Sequence, residues 1–387
     1  MSDANEVELV IGGRVYTGWR EIDIERSIEH IAGCFRLELT DDAPGADLPV
    51  GLREGLPCEV RIGGETVITG YVDEYEPDLT EKDTRLCVQG RDRTADLVDC
   101  SAIHKSGAWS GVRLEQIVKD IAVPFGIGVT VAPGLNTGEV FKRFALEDGE
   151  KAFDAIDRAC RLRAILCTST PAGDLLLTTA SEEHSGVSLI EGVNIKRIRA
   201  LHTWKDRFSK ITVKAQTPGD DDEHGAAAAH PKATAEDPEI NRYRPLIVHA
   251  EHHTSNKSLR DRAEWEVKVR MGRGKRGSCE VVGWRTGKDG LTGPLWRPNM
   301  LVRVVSDRMT LDRDVLIVAC HFEKGPAGRK TTLTFARPEA FELVEGAQRR
   351  RLNRRLGDRV EKDKHHKKGR GGFTSPWDLD PPKEIRR

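Results

Sequence analysis

Nowhere in this sequence do eighteen apolar residues run together, so no segment is built to span a bilayer as a helix. Aromatic side chains are scarce, at 5% of the chain, and the basic C-terminal stretch has none until Phe373 and Trp377, which leaves little for nucleic-acid bases to stack on. Also missing is any paired-cysteine motif. The eight cysteines (Cys34, Cys58, Cys87, Cys100, Cys160, Cys167, Cys279 and Cys320) are scattered without a CxxC, and most have apolar neighbours, as in Ile165-Leu166-Cys167 and Val318-Ala319-Cys320. Buried free thiols are expected, rather than disulfides or metal ligands.

The chemistry-bearing motifs are absent too. There is no GxxxxGK[ST] loop to cradle phosphates and no HExxH helix to hold zinc. Gly272, Gly274 and Gly277 satisfy GxGxxG, but they follow a helical segment and precede a strand, the reverse of the order that dinucleotide binding requires. Ser27, Ser101 and Ser185 lack a nucleophile elbow, and Asp220-Asp221-Asp222 lacks EF-hand spacing. In so charged a chain no carboxylate pair stands out for glycoside hydrolysis. No catalytic residue, metal site, cofactor or small-molecule substrate is therefore expected. Met1 to Glu6 carries neither the basic region nor the apolar stretch of a signal peptide, so synthesis and folding in a cytoplasm are expected.

What is present is charge. Of 387 residues, 32% are charged and 38% hydrophobic, enough for two to four modest cores, since single cores stop growing near about 250–300 residues. The formal net charge of -1 conceals an asymmetry: from Arg349 to Arg387 there are fourteen Lys/Arg against six Asp/Glu, so the rest of the chain is acidic. A mildly acidic body with a basic tail attracts acidic partners to its tail, or body and tail to each other.

Pattern divides the chain into four parts. Residues 1–100 alternate with period two and turn at Gly12-Gly13 and Gly63-Gly64, which predicts six or seven short strands closing into an antiparallel barrel. Residues 101–194 read as a small α+β module: helices over 113–123 and 149–162, then strands over 164–168 and 174–179 around Pro171-Ala172-Gly173. Residues 195–345 form a second β module, with a mobile loop over 217–241 and a helix over 258–271 whose Leu259, Ala263 and Val267 share a face. Residues 346–387 are a basic, flexible tail, in which Phe373 and Trp377 flank a stiff Thr-Ser-Pro segment suited to docking on a partner. The fold class expected is mainly β with α+β insertions.

The stretch from Gly90 to Ala102 turns strand into helix and packs Arg91, Asp92, Arg93, Asp96 and Asp99 around Leu97-Val98; Thr94 is placed to cap the helix. Either a partly buried ion-pair joint or a solvated turn fits this spacing. The same run resembles the baseplate hub proteins of Mu-like contractile-tailed phages, the Mu tail protein P family. So do Gly18-Trp19 with Ile22, Ile24, Arg26-Ser27-Ile28-Glu29 and Gly33-Cys34-Phe35-Arg36-Leu37, Glu191-Gly192-Val193-Asn194-Ile195, Arg262-Ala263-Glu264-Trp265-Glu266, Gly283-Trp284, and Leu295-Trp296-Arg297-Pro298-Asn299.

The resemblance implies a phage baseplate hub fold with two antiparallel barrel-like modules side by side. It implies a non-enzymatic homotrimer whose ring joins the tail tube to a trimeric spike, near the tape measure and other baseplate proteins. DNA would pass through without stable binding. The location implied is the virion, after assembly in the host bacterial cytoplasm. On this reading Arg26, Glu29, Arg91, Asp92, Arg93, Asp96, Trp284 and Trp296 serve module or subunit junctions, and Phe373 and Trp377 dock the tail. The alternatives are the hub of a tailocin or another phage-derived injection device, and a tail-associated peptidoglycan hydrolase.

Overall fold

Extended backbone points successive side chains to opposite faces, so the alternation seen in the sequence becomes sheets with one buried side. A computed structural model of the chain describes residues 4–41, 51–79, 84–163, 165–214, 232–249 and 256–341. It is mainly β with helices inserted, and it divides into two compact units. The first comprises Met1–Ile198, Ser278–Val302 and Leu316–Phe335; the second comprises Arg199–Gly277, Arg303–Val315 and Ala336–Arg387.

The first unit opens with seven strands: β1 (Val7–Ile11), β2 (Arg14–Tyr16), β3 (Glu21–Ser27), β4 (Cys34–Asp41), β5 (Pro57–Ile62), β6 (Glu65–Leu79) and β7 (Thr84–Asp92). They lie in the order β3-β4-β7-β6-β5-β1-β2, every neighbour antiparallel. The turns Gly12-Gly13 and Gly63-Gly64 carry positive φ at both residues, which suits the twist of tight hairpins. Leu9, Ile24, Leu37, Val60, Ile62 and Val88 form the buried face.

Helix α1 (Ala95–Asp99) follows directly, then β8 (Ala108–Trp109), α2 (Leu114–Ala122), β9 (Val129–Val131), β10 (Phe144–Ala145), α3 (Ala152–Leu162), β11 (Leu166–Ser169) and β12 (Leu175–Thr178). The α+β core forms where Ile117, Val118 and Ile121 of α2 meet Ala155, Ile156 and Cys160 of α3 and Leu175 and Leu177 of β12. Burying each of the larger side chains contributes about 1.5–3 kcal/mol. Thr94 precedes α1 but makes no side-chain cap, contrary to the expectation from sequence: its backbone is already helical, at φ -73° and ψ -8°, and its hydroxyl donates to Asp92.

Then come β13 (His184–Ile190), β14 (Ile195–His202), β15 (Lys210–Lys214), β16 (Lys232–Glu236), β17 (Pro245–His249) and α4 (Asn256–Arg273). In the second unit β16-β15-β17 form a three-stranded sheet, and Leu259 and Ala263 of α4 pack with Val213 of β15. β16 corrects part of the expected 217–241 loop. Its Lys-Ala-Thr-Ala-Glu sequence is polar by composition, yet all five residues pair with β15 in register from Lys214↔Lys232 to Lys210↔Glu236. The preceding part of that stretch lies outside the described residues, as does the tail from 342 onward.

The last strands are β18 (Lys275–Val282), β19 (Leu301–Ser306), β20 (Leu311–Gly325) and β21 (Gly328–Ala336). Within the first unit Ala319 to Lys324 of β20 pair antiparallel with Ser27 to Ile22 of β3. The edge of the N-terminal strands is thus hydrogen-bonded to a strand from the far end of the chain.

Candidate functional site

Asp92 ends β7 and is 2% exposed. One carboxylate oxygen accepts the Gly33 amide N–H at 2.8 Å; the other accepts the Thr94 amide at 2.9 Å and the Thr94 hydroxyl at 2.5 Å. Arg26, on β3, lies close enough for its charge to act on Asp92, and its Nη2 donates to the Ser169 carbonyl at 2.8 Å. Burial raises the Asp92 carboxyl above its ordinary pKa, with the hydrogen bonds from Thr94, Gly33 and Ser169 opposing it. Burial likewise lowers the Arg26 guanidinium, with Asp92 opposing. Burial disfavours both charges, and for Asp92 the hydrogen bonds offset that cost.

Arg91 points to the opposite face of β7. It donates to Asp73 at 2.6 Å and to Asp99 at 2.8 Å, which raises its own pKa and lowers that of Asp99. Its neighbour Arg93 is half-buried and donates to the Gly126 carbonyl, while its backbone N–H donates to the Thr69 carbonyl. Asp96 is exposed on α1, and Glu29 is half-buried beside Ser27, whose hydroxyl accepts its amide. Arg26, Asp92 and Arg93 thus tie the first seven strands to residues 126 and 169 of the α+β core, while Asp96 stands apart.

Trp284 and Trp296 meet in the loop after β18. Trp284 is fully buried, donates its indole N–H to the Glu323 carbonyl at 3.1 Å and lies under the Arg329 guanidinium. The amide of Trp296 donates to the Trp284 carbonyl at 3.1 Å. The loop closes tightly because Gly283 and Gly290 both take positive φ; a Cβ at Gly283 would lie 2.0 Å from the Gly290 oxygen. Phe373 and Trp377 lie outside the described residues.

Two buried arginines were missed from sequence. Arg285, 7% exposed, binds Glu65, the Ala4 and Gly293 carbonyls and Asn5, pinning the start of the chain to the Trp284–Trp296 loop. Arg207, 1% exposed, grips Asp237 at 2.8–2.9 Å and Glu239 at 2.8 Å, and Lys275 completes the cluster on Glu239 at 2.7 Å. Their carboxylate partners lie about 30 to 220 residues away, so no local pattern marks them. The GxGxxG glycines belong to this second unit for steric reasons: a Cβ at Gly272 would sit 2.5 Å from that of Ala340, and one at Gly274 would sit 2.6 Å from Arg207.

Nothing in these arrangements aligns a nucleophile with a base; their polar contacts hold strands and loops to one another. Four family profiles match in succession: the N-terminal domain of Mu phage baseplate assembly protein GpP-like proteins over 6–92, the second domain of gp44-like baseplate hub proteins over 94–179, the third domain of NMB1110-like tail proteins over 207–265 and the fourth domain of GpP over 255–344. The baseplate hub protein gp44 of Escherichia phage Mu is 35% identical over 364 residues, covering 92% of this chain and 93% of that protein. The chain belongs to the Mu baseplate hub family.

The hub protein is accordingly a structural component of a phage tail baseplate and not an enzyme. Among solved structures, the 43 kDa tail protein of prophage MuSo2 from Shewanella oneidensis superposes with a TM-score of 0.77 at 39% identity, covering 88% of the hub protein and all of that chain. The tail protein of Neisseria meningitidis MC58 gives a TM-score of 0.73 at 23% identity, over 87% of the hub protein and 98% of that chain, and shares its fold. The first two matched domains meet between residues 92 and 94, where the Arg26–Asp92–Thr94 joint lies.

Proposed function

We propose that the hub protein closes into a homotrimeric ring that joins the tail tube to the central spike and surrounds the DNA passage. The identity to the hub of phage Mu along nearly the whole chain carries this reading. A ring needs two different surfaces per subunit that close under three-fold rotation, and permanent contacts of this kind commonly bury more than about 2,000 Å². Such a ring must stay rigid, and the geometry supports rigidity: Asp92, Arg26 and Arg93 fasten the N-terminal strands to the α+β core. Outside the basic stretch from Arg349 the chain is net acidic, which disfavours phosphate binding and suits a channel that DNA only traverses.

In this proposal residues 1–100, 101–194 and 195–345 are the working modules, and residues 346–387 dock a neighbouring baseplate protein through Phe373 and Trp377. Assembly takes place in the host cytoplasm before the tail is completed. The deciding experiment is the solution mass of the purified protein, alone and with the neighbouring spike protein, by light scattering. Three chains per particle are expected; a particle that stays monomeric in both conditions overturns the ring.

A further inference from the structure

Helix α3 ends in a turn that folds the chain straight back onto it. The amides of Arg163 and Ile165 both donate to the Cys160 carbonyl at 3.0 Å. The bond from Ile165 closes a Schellman-type stop, in which the residue leaving the turn packs against the helix residue that accepts its amide. Ile165 is accordingly buried, and alternation into β11 puts Cys167, two residues further on, on the same side. Cys160 and Cys167 lie in one apolar core, and the Cys160 thiol is hydrogen-bonded to that of Cys167.

Burial alone does not single these two out. Cys279 of β18 and Cys320 of β20 are buried as well, but β21 runs between their strands. Two strand spacings separate them by about 10 Å, too far for a disulfide. Within the α3–β11 pair the thiols are not equivalent. Cys160 has no exposed surface, and its hydrogen bond to Cys167 and its burial both raise its pKa. Cys167 keeps 7% of its surface exposed. Both are free thiols in the structure, packed as small apolar side chains, the state in which a cytoplasm keeps them.

We propose that Cys160 and Cys167 form a latent cross-link, closed by a hydroperoxide once the protein leaves a reducing compartment. Hydrogen peroxide transfers an oxygen to the Cys167 sulfur, which becomes a sulfenic acid, and one water is released. The Cys160 sulfur, already beside it, then attacks the Cys167 sulfur. The S–O bond breaks, and the departing hydroxide takes up the Cys160 proton as a second water. Two thiols and one hydrogen peroxide thus give one disulfide and two waters, two electrons passing from the sulfurs to the peroxide. The new bond ties the end of α3 to β11 and closes only the short loop between them, so it stiffens the α+β core locally. That oxidation follows release of a finished tail rests on the baseplate reading; the pairing of the thiols does not.

The test treats the full native chain with hydrogen peroxide, raised until the exposed Cys34 and Cys100 are oxidised. Remaining thiols are capped with N-ethylmaleimide after unfolding, and tryptic peptides are mapped by mass. Trypsin cuts after Arg158, Arg161 and Arg163, so Cys160 and Cys167 fall in separate peptides that a disulfide holds together until a reductant is added. That linked pair is the expected product, with no Cys279–Cys320 link. In Cys160→Ala, dimedone should trap a sulfenic acid on Cys167; in Cys167→Ala, it should trap none on Cys160. The proposal is overturned if Cys160 and Cys167 remain thiols, if either bonds to a different cysteine, or if dimedone marks Cys160 instead. The wild-type map requires no variant to fold and does not depend on oligomeric state. A monomer that forms the link would sink the ring and spare the cross-link, and a trimer in which both thiols stay free would do the reverse.

Discussion

Asp92 carries a charge to a place that water barely reaches, and three donors together with Arg26 hold it there. Removing the carboxylate leaves the Gly33 and Thr94 donors without their acceptor, at a cost of about 1–3 kcal/mol for each buried donor. Asp92→Ala should lose stability in that range in urea unfolding. Arg36→Ala, which breaks only the surface pair with Glu38, should cost less than about 1 kcal/mol. Equal losses in the two variants would show that the joint is not buried as described. His321 offers a pH test. Its imidazole lies 2.7 Å from Asp23 and 3.7 Å from Glu323, with Glu25 also nearby, and the Asp23 hydrogen bond raises its pKa against the effect of burial. A raised folded pKa contributes stability that is fully present below the unfolded value of about 6.5 and is lost as pH rises through the folded value. The stability gap between wild type and His321→Gln should accordingly be wider near pH 5.5 than near pH 8.5; a gap that does not change with pH would remove Asp23 as its partner.

At the scale of elements, the loop between Gly283 and Trp296 is tightly constrained backbone that carries two of the candidate junction residues. Gly283→Ala adds a Cβ both at positive φ and 2.0 Å from the Gly290 oxygen, and should destabilise by more than about 2 kcal/mol. The melting temperature should fall accordingly, whereas Gly12→Ala meets no atom within 4 Å and pays only for its φ. Helices were legible in advance for a simple reason: α2, α3 and α4 each bury one stripe of residues at three- and four-residue spacing, such as Leu259, Ala263 and Val267. The α1 cap misled because Thr94 already has helical backbone angles rather than the extended ones of a capping residue, and its hydroxyl donates to the buried Asp92 carboxylate. β16 misled because its Lys-Ala-Thr-Ala-Glu run is too polar to read as a strand by itself, and the strand that it pairs with is found only on folding.

For the whole molecule, the basic stretch after Arg349 contributes charge that the rest of the chain lacks. Deleting residues 346–387 should leave the thermal unfolding of the remaining chain unchanged within about 1 kcal/mol, as for surface changes, while lowering its incorporation into tails in a complementation assay. Full incorporation of the shortened protein would deny the tail a docking role. The family signature around Gly18-Trp19 and Leu295-Trp296-Arg297-Pro298-Asn299 was readable along the chain. That the loop carrying Trp296 is pinned to Ala4 and Asn5 through Arg285 was not, since a guanidinium finds its acceptors by folding and not by spacing.

The sequence by itself determined the mainly β class, the helical segments, the absence of catalytic and phosphate-binding motifs, and the kinship with Mu-type hubs, because each is written in local periodicity or in short runs of residues. Only the tertiary structure decided that Arg26 reaches the Ser169 carbonyl, that Asp92 is buried beside Gly33 and Thr94, that β20 completes the edge of β3, and that Arg207 and Arg285 are interior charges. A charged side chain looks the same in sequence whether it is solvated or buried; desolvation, which sets its energy and its role, exists only once distant strands have closed around it.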